Sequence, residues 1–344
     1  MSKKFLGTVV FLCVTVMFLE HANAASFGCA TKAKWLADPA YAEAVATYCK
    51  DFLTAQVDAK AHKTWIQGTN GTVTYNYSDF NIVKNFANAH GMTVRAHALI
   101  WGESQPAWFS QLSASQLRAG ALGAIDAALD AGARHLEIVN EPERGLGVFD
   151  QLGPEFIGDL YEHAAQRCPS CTLAINYLNP PSVSSIAAID YPLDVIGIEG
   201  HLGNSVPNWS DFVQQVKGLG YQVFITEADQ SFVAREPIQT FASQMMSAGV
   251  DAFIVWNLTK FPDDSWQSAA PLDYPSLAEN EMYVGLVEGL KESSGDGGGG
   301  QQRGRRGRPT GLSPLDCRSV SHFLGYVYET SSHRSGLRTW APHR

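Results

Sequence analysis

Short apolar runs alternate with segments of helical periodicity from Phe27 to Leu290. A short continuous apolar run is typical of a strand buried on both faces, whereas apolar residues three or four positions apart indicate an amphipathic helix. The runs predict eight strands, at 27–30, 52–57, 93–101, 135–140, 172–176, 194–198, 222–226 and 252–257. The helical period predicts helices that include 114–131, 155–168, 209–219, 237–248 and 277–290.

Eight alternating strand and helix units favour an α/β protein whose parallel sheet closes on itself. An open doubly wound sheet is the alternative, but it would place a glycine-rich phosphate loop after the first strand. The chain has Cys29-Ala-Thr-Lys32 there. We therefore predict a (β/α)8 TIM barrel, formed as a single domain by residues 25–292.

The N-terminus has the pattern of a secretory signal peptide. Two lysines precede an apolar segment at 5–19, and Ala22-Asn-Ala24 fits the small-residue rule for cleavage. A membrane anchor is the alternative, but 15 apolar residues are short for a span. We predict that residues 1–24 are removed, that the protein is secreted to the extracellular space, and that nothing holds it to a membrane after cleavage.

Residues 293–344 depart from the pattern of the barrel. Four consecutive glycines at 297–300 lead into the arginine–glycine stretch 301–308, a low-complexity composition that cannot form a packed core. We expect a basic, disordered tail or a mistranslated extension. A carbohydrate-binding module is an alternative, and RNA binding by the arginines is disfavoured by export.

Cysteine usage agrees with secretion, because oxidising compartments favour disulfides. Five cysteines remain after removal of Cys13, and we predict the pairs Cys29–Cys49 and Cys168–Cys171, with Cys317 left over. A redox motif or half a zinc site is the other interpretation of Cys168-Pro-Ser-Cys171. Export also makes N-glycosylation plausible at the four sequons, which begin at Asn70, Asn76, Asn208 and Asn257.

Charge is distributed unevenly along the chain. Residues 25–292 carry 15 basic and 30 acidic side chains, a net charge of −15, whereas residues 293–344 carry a net charge of +5. An acidic barrel repels phosphate backbones, so we predict no nucleic-acid partner for it.

Chemically useful side chains cluster where the predicted strands end, which is where a barrel of this kind carries its active site. They are Arg95, His97 and Trp101 at strand three, Asn140 and Glu141 at strand four, Glu199 and His201 at strand six, Glu227 and Asp229 at strand seven, and Trp256, followed by Trp266, at strand eight. Two glutamates, a histidine, an aspartate and several indoles are the equipment of a retaining glycosidase.

Glycoside cleavage with retention needs one carboxyl group to protonate the leaving oxygen and another to attack the anomeric carbon. We predict Glu141 as the acid/base and Glu227 as the nucleophile. His201, oriented by Asp229, would hydrogen-bond Glu227 and keep it ionised. Asn140 would bond the sugar 2-hydroxyl, a contact that strengthens in the transition state.

The indoles of Trp101, Trp256 and Trp266 would offer flat apolar faces for sugar rings. Taken singly, each of these residues has an ordinary structural explanation. Their joint placement at successive strand ends is what indicates a glycoside hydrolase site.

The motifs resemble those of glycoside hydrolase family 10, the endo-1,4-β-xylanases. The resemblance rests on Phe27-Gly-Cys-Ala30, Asp38-Pro-Ala-Tyr41, Val94-Arg-Ala-His97-Ala-Leu-Ile-Trp101, Val139-Asn-Glu-Pro142, Ile175-Asn176, Ile196-Gly-Ile-Glu-Gly-His-Leu202, Ile225-Thr-Glu-Ala-Asp229, and Val255-Trp256 to Ser265-Trp266. It implies a retaining enzyme that acts on plant cell-wall xylan, as a monomer, without a metal or cofactor. It also implies that His97, Asn176 and Glu199 belong to the substrate-binding set.

Two departures from the family pattern bear on this expectation. Glu199 stands where the family usually has glutamine, and after strand two Lys60 and Lys63 offer two registers for the usual lysine, with no asparagine before them. We hypothesise that Glu199, a third carboxylate beside Glu141, raises a carboxyl pKa by like-charge repulsion and moves the pH profile. The alternatives are the same mechanism on another β-glycan, or a catalytically weak carbohydrate-binding protein.

Overall fold

A computed structural model describes residues 25–56, 64–103, 105–145, 147–263 and 268–292. The predicted signal peptide and the basic tail lie outside the described residues, as do Lys60, Lys63, Trp266 and Cys317. Within the described chain, no helix has both the length and the apolar character needed to cross a membrane.

Eight parallel strands form a closed barrel, which confirms the predicted TIM-barrel fold. They are β1 (Ser26–Thr31), β2 (Phe52–Gln56), β3 (Thr93–His97), β4 (His135–Asn140), β5 (Thr172–Tyr177), β6 (Val195–Ile198), β7 (Gln222–Gln230) and β8 (Ala252–Val255). Each strand pairs with the next in the chain. Because Ser26 of β1 lies opposite Ala252 of β8, the sheet has no free edge.

Helices follow the strands and cover the outside of the sheet. They are α1 (Pro39–Tyr48), α2 (Ser78–Ala89), α3 (Ala114–Asp130), α4 (Val148–Leu152), α5 (Phe156–Arg167), α6 (Val183–Ala187), α7 (Ser210–Gly218), α8 (Glu236–Ala248) and α9 (Glu281–Glu292). Four of the predicted helices agree with α3, α5, α7 and α8 within one residue at each end. Local signals explain some boundaries: Asp38 caps α1, and Ser113 forms a capping box with Gln116 at the start of α3.

The remaining boundaries differ from the prediction. The predicted helix at 277–290 begins only at Glu281, because Ala278–Glu279 pairs antiparallel with Leu272–Asp273. The predicted strand at 93–101 is divided into β3 and a short piece, Ile100–Trp101, that pairs with β4. A second short piece, His201–Leu202, pairs with the end of β7. These short pieces extend the barrel wall at its carboxyl end and carry residues of the site.

The barrel interior is filled in layers, because alternate residues of a strand face the same side. The lower layer is apolar and includes Phe52 and Phe224, against which the buried ring of His135 packs. Two residues further along these strands, the upper layer is polar and contains Thr54, Glu137 and Thr226. The change from apolar to polar side chains inside the barrel occurs immediately below the strand ends.

The two predicted disulfides are present. Cys29–Cys49 joins β1 to the residue after α1, and Cys168–Cys171 joins the end of α5 to the start of β5. Among the sequons, Asn76 and Asn208 are exposed. Asn257 is 6% exposed, so it is not an acceptor for a glycan in the folded protein.

Removing the Cys29–Cys49 disulfide should cost more stability than removing Cys168–Cys171. The first bond closes a loop of sequence separation 20 and the second a loop of separation 3, and the entropy removed from the unfolded chain grows with loop length. Replacing both cysteines by alanine should lower the free energy of unfolding by about 3 kcal/mol in the first case and about 2 kcal/mol in the second. Denaturant titration of the two double variants compares them directly, and an equal or reversed loss would contradict the prediction.

Candidate active site

The carboxyl ends of the strands bring most of the predicted site residues together. Those that are described and buried there are His97, Trp101, Asn140, Glu141, Asn176, Glu199, Glu227, Asp229 and Trp256, while His201 is partly exposed. Parallel strands of a closed barrel all end on the same rim, so residues far apart in sequence become neighbours. Trp266 lies outside the described residues.

Glu227 lies in β7 with donor groups facing both of its carboxylate oxygens. Asn176 Nδ2 donates to Oε1 at 3.0 Å, and His97 Nε2 lies 3.5 Å from the same oxygen. His201 Nε2 lies 3.5 Å from Oε2. Burial alone would raise the pKa of the Glu227 carboxyl, but the charges of His97, His201 and Arg95 and a hydrogen bond from His201 outweigh it and lower the pKa. Glu227 is therefore held as a carboxylate.

His201 is held between three carboxyl groups. Its Nδ1 donates to Asp229 Oδ1 at 2.8 Å, and its Nε2 lies 3.1 Å from Glu199 Oε2 and 3.5 Å from Glu227 Oε2. Burial would lower the pKa of His201, but hydrogen bonds to Asp229, Glu199 and Glu227 raise it to about 12. With its pKa raised in this way, His201 is an imidazolium cation that faces Glu227, and the role predicted for it in orienting the nucleophile stays a prediction.

Glu141 follows β4 immediately and its backbone is left-handed, with φ 49° and ψ 50°. Its backbone N–H donates to the carbonyl of Asn176, which anchors the turn to the neighbouring strand. The indole N–H of Trp101 donates to Glu141 Oε2 at 2.8 Å, and Arg144 Nη1 lies 3.3 Å from that oxygen. Both predicted carboxyl groups thus lie at the mouth of the barrel, one directly after β4 and the other in β7.

Asn176 connects the two sides of the site. Its Nδ2 donates to Asn140 Oδ1 at 2.8 Å as well as to Glu227, and its Oδ1 accepts from the hydroxyl of Thr226. A side chain at Gly197 would meet Asn176 Oδ1 at 2.6 Å and Thr226 Cγ2 at 2.8 Å, so β6 needs glycine there. Asn140, predicted to bond a sugar hydroxyl, reaches the mouth with its Oδ1 already engaged by Asn176.

Sequence reasoning did not identify the buried ion pair between Arg95 and Glu137, which supports the upper, polar layer of the barrel interior. Arg95 on β3 and Glu137 on β4 are both completely buried and form a salt bridge, and His97 Nδ1 contacts Glu137 on its other oxygen. Arg95 also donates to Thr54 Oγ1 at 3.1 Å. Burial lowers the pKa of Arg95, and the charges of Glu227 and Glu199 oppose that shift, leaving the pKa at about 10. In the sequence, this ion pair could have been found only from two charged residues at strand positions that face inward.

The structure corrects the hypothesis that Glu199 lies beside Glu141. Glu199 Oε1 accepts from Asn176 at 3.2 Å and Glu199 Oε2 faces His201, so its nearest carboxyl neighbour is Glu227. Burial raises the pKa of Glu199 well above its usual range, the charge of Glu227 adds to that effect, and Glu141 contributes less. The reason lies in the topology, since β6 pairs with β7 but is two strands away from β4.

The described indoles lie at the site but are largely covered by protein. Trp101 is 5% exposed and Trp256 is 6% exposed. Trp256 packs edge-on against the ring of His97, with centroids 5.2 Å apart. Trp256 therefore supports the position of His97, and only a small part of its indole is exposed.

Three of these residues also have the spacing of metal ligands. One ligand atom from each of Glu199, His201 and Glu227 lies within 4.8 Å of the other two. A metal there would have to displace the proton on His201 Nε2, which already faces both carboxyl groups. The absence of a cofactor and of a metal requirement stays a prediction from the resemblance.

A closed parallel barrel with two buried carboxyl groups at its mouth defines the class of the protein, a glycoside hydrolase of TIM-barrel type. The profile of glycosyl hydrolase family 10 matches residues 18–283, and the chain belongs to that family.

Curated relatives are distant. The chain is 25% identical to endo-1,4-beta-xylanase B of Neocallimastix patriciarum over 84% of its own length and 37% of the relative's. It is 24% identical to endo-1,4-beta-xylanase A of Thermoanaerobacterium saccharolyticum over 48% of its own length and 17% of that relative's. It is 25% identical to endo-1,4-beta-xylanase 3 of Hypocrea jecorina over 68% of its own length and 75% of the relative's. The chain thus spans well under half of the first two relatives.

Solved structures share the fold at low identity. Xylanase 10B from Thermotoga petrophila, in complex with xylobiose, superimposes with a TM-score of 0.63 at 18% identity, over 78% of this chain and 94% of the other. A glycosylated endo-beta-1,4-xylanase from Gloeophyllum trabeum gives a TM-score of 0.64 at 17% identity, over 78% and 97%. These superpositions support the barrel architecture.

Neither His201 nor His135 should titrate near the usual histidine pKa of 6.5. His201 should stay protonated until about pH 12, whereas burial and the charge of Arg95 lower the pKa of His135 to about 3 and keep it neutral. Ring ¹⁵N chemical shifts followed by NMR distinguish the two states. In Asp229→Asn the pKa of His201 should fall, because a charge that raises it is removed. A His201 step near pH 6.5 in the wild type would contradict the assignment of its partners.

Proposed function

We propose that this protein is a secreted, retaining endo-1,4-β-xylanase that cleaves internal bonds of xylan by double displacement. The observation that carries the proposal is the environment of Glu227, a buried carboxylate with Asn176, His97 and His201 facing its two oxygens. A nucleophile for an anomeric carbon must be ionised and held in one orientation. Glu227 meets both requirements.

In the first step, Glu227 attacks the anomeric carbon while Glu141 protonates the leaving glycosidic oxygen. The indole N–H of Trp101 and the guanidinium of Arg144 fix the orientation of Glu141 through one oxygen, Oε2. The left-handed turn at Glu141 directs the side chain from the end of β4 toward the mouth of the barrel. The products are a glycosyl ester on Glu227 and a free sugar chain that leaves.

In the second step, Glu141 acts as a base toward a water molecule, which attacks the same carbon and releases Glu227. Two inversions give net retention of configuration. His201 and Arg95 keep their positive charges through both steps, so they stabilise the carboxylate each time it is released.

The substrate class rests on the names of relatives. The curated relatives from Neocallimastix patriciarum, Thermoanaerobacterium saccharolyticum and Hypocrea jecorina are all named endo-1,4-beta-xylanases, and the solved Thermotoga petrophila enzyme holds xylobiose. A relative from Acetivibrio thermocellus is named an exoglucanase, at 24% identity over 48% of this chain. That name supports a second candidate, the same mechanism on a β-glucan.

Replacing either carboxyl group should abolish most of the activity. Glu141→Ala and Glu227→Ala should each lower kcat on xylan by at least about 10²-fold, because proton transfer and nucleophilic attack are each lost. On an aryl β-xyloside, whose phenolate leaves without protonation, azide should rescue both variants with opposite stereochemistry of the glycosyl azide, since it replaces the nucleophile in one and attacks the glycosyl–enzyme in the other. Product NMR reads the anomer, and the same anomer from both variants would refute the assignment of roles.

The same assay separates the candidate substrates. Reducing-sugar release from xylan, cellulose and mannan, measured side by side, should be greatest with xylan. Greatest release from cellulose would favour the glucanase alternative. Binding to xylan without any release would support a non-catalytic carbohydrate-binding protein instead. Glu288→Gln, which removes a carboxylate of an exposed ion pair with Arg235, is the control for a general loss of charge.

Secretion is part of the proposal and has its own test. Expressed in a eukaryotic host, the protein should appear in the medium with Ala25 as its first residue, because Ala22-Asn-Ala24 fits the cleavage rule. Mass spectrometry of the secreted protein reads the terminus. Leu12→Arg, which interrupts the apolar segment, should keep the protein inside the cell. Recovery of the uncleaved chain in the membrane fraction would instead support an N-terminal anchor.

A further inference from the structure

Glu199 is a buried carboxyl group that shares its hydrogen-bond donors with the proposed nucleophile. It is 2% exposed, directly after β6, and both of its oxygens face donors that also face Glu227. No role in the double displacement falls to it, since Glu141 and Glu227 supply the two carboxyl groups that this chemistry needs.

The donor groups shared by Glu199 and Glu227 carry fewer hydrogens than there are acceptor oxygens around them. Asn176 Nδ2 carries two hydrogens but is surrounded by three acceptor oxygens. They belong to Asn140 at 2.8 Å, Glu227 at 3.0 Å and Glu199 at 3.2 Å. His201 Nε2 carries one and faces Glu199 Oε2 at 3.1 Å and Glu227 Oε2 at 3.5 Å. These two atoms therefore offer three hydrogens to five acceptor oxygens. A proton on one carboxyl group reduces that shortage by converting an acceptor into a donor.

The surrounding charges indicate which carboxyl group carries that proton. Around the pair lie the cations Arg95 on β3 and His201 beyond β6, the imidazole of His97 on β3, and the carboxyl groups of Glu137 on β4, Glu141 after β4 and Asp229 on β7. His97 faces Glu227 at 3.5 Å in addition to the shared donors. With more donors, Glu227 keeps the negative charge. Burial and the neighbouring charge of Glu227 both raise the pKa of Glu199.

We propose that Glu199 works as a neutral carboxylic acid that positions Glu227, and that its ionisation ends the active pH range on the alkaline side. The inference rests on the proposed function for its effect on catalysis. Neutral Glu199 leaves the hydrogens of Asn176 and His201 to Glu227. Once ionised, Glu199 competes for His201 Nε2, to which it lies nearer than Glu227 does, and the nucleophile loses an orienting contact.

Glu199→Gln tests the proposal, because an amide resembles a carboxylic acid that cannot ionise. The ratio of kcat for E199Q to kcat for the wild type should rise with pH, and the alkaline limb of E199Q should lie at least about one pH unit higher. Glu288→Gln changes an exposed ion pair between α9 and Arg235, and it should leave the alkaline limb of the pH profile of kcat unchanged. A ratio that is constant or falls with pH would overturn the proposal.

Two readouts do not depend on activity. In Glu141→Ala, which lacks the proton of the acid/base, the protein at neutral pH should still show the infrared band of a protonated carboxyl group, and adding Glu199→Gln or Glu199→Ala should remove it. Because the pKa of Glu199 is raised on folding, the folded protein binds more protons than the unfolded chain above the usual glutamate pKa. Wild type should therefore lose thermal stability relative to E199Q as the pH rises.

These measurements separate the two proposals. If the wild type cleaves no β-glycan, the proposed function fails, while the infrared band and the stability difference still decide the state of Glu199. If the band is missing and the two stability curves run parallel, Glu199 is ionised and the inference fails, whatever the activity on xylan. The infrared spectrum of Glu141→Ala decides this point even if the variants at Glu199 do not fold.

Discussion

The charge balance inside the mouth of the barrel is the constraint on which the rest of the site depends. Among the described residues, the buried acidic side chains are Glu137, Glu141, Glu199, Glu227 and Asp229. Desolvated carboxylates so close together repel one another, and an unpaired one would be costly. The buried Arg95 and the protonated His201 lie among them and supply the compensating charge. Removing either cation would leave a carboxylate buried without compensation.

Two backbone features accompany this charge balance, at Gly197 and at Glu141. Gly197 has no side chain because Asn176 and Thr226 occupy the space that a Cβ would need, and Asn176 must reach three acceptors there. Glu141 adopts a left-handed conformation that is uncommon for residues with a side chain. Both features place polar groups at the strand ends, where the apolar lower layer of the barrel no longer excludes them.

Much of the fold was predictable, because apolar runs mark strands that are buried on both faces. The eight predicted runs coincide with β1 to β8, and closure follows from their number. The pattern of apolar residues did not predict the hairpin of Trp65–Gln67 and Val73–Tyr75, because these residues form no long apolar run. Boundaries such as the start of α9 depended on tertiary pairing by Ala278–Glu279, which local sequence does not encode.

The sequence predicted which residues lie at the mouth of the barrel. It did not predict which of their side chains contact each other. Strand order around the barrel places Glu199 next to Glu227, whereas sequence alone had suggested Glu141. Arg95 was visible as a charged residue in a strand, yet its pairing with Glu137 depends on both side chains facing into the barrel from neighbouring strands. Protonation states follow only from such contacts, since each depends on which charges lie within a few ångströms.

The distribution of cations also separates the two proposed catalytic carboxyl groups. Glu227 lies among buried positive charges and amide donors that are already in place before a substrate binds, which lowers the reorganisation needed when the carboxylate is released. Glu141 is held instead by an indole N–H and by Arg144, a partly exposed side chain that also pairs with Glu103. One carboxyl group is therefore held in the charged form, while the other is oriented by contacts to a single oxygen, Oε2. A retaining mechanism needs this asymmetry, because only the acid/base gains and loses a proton in each cycle.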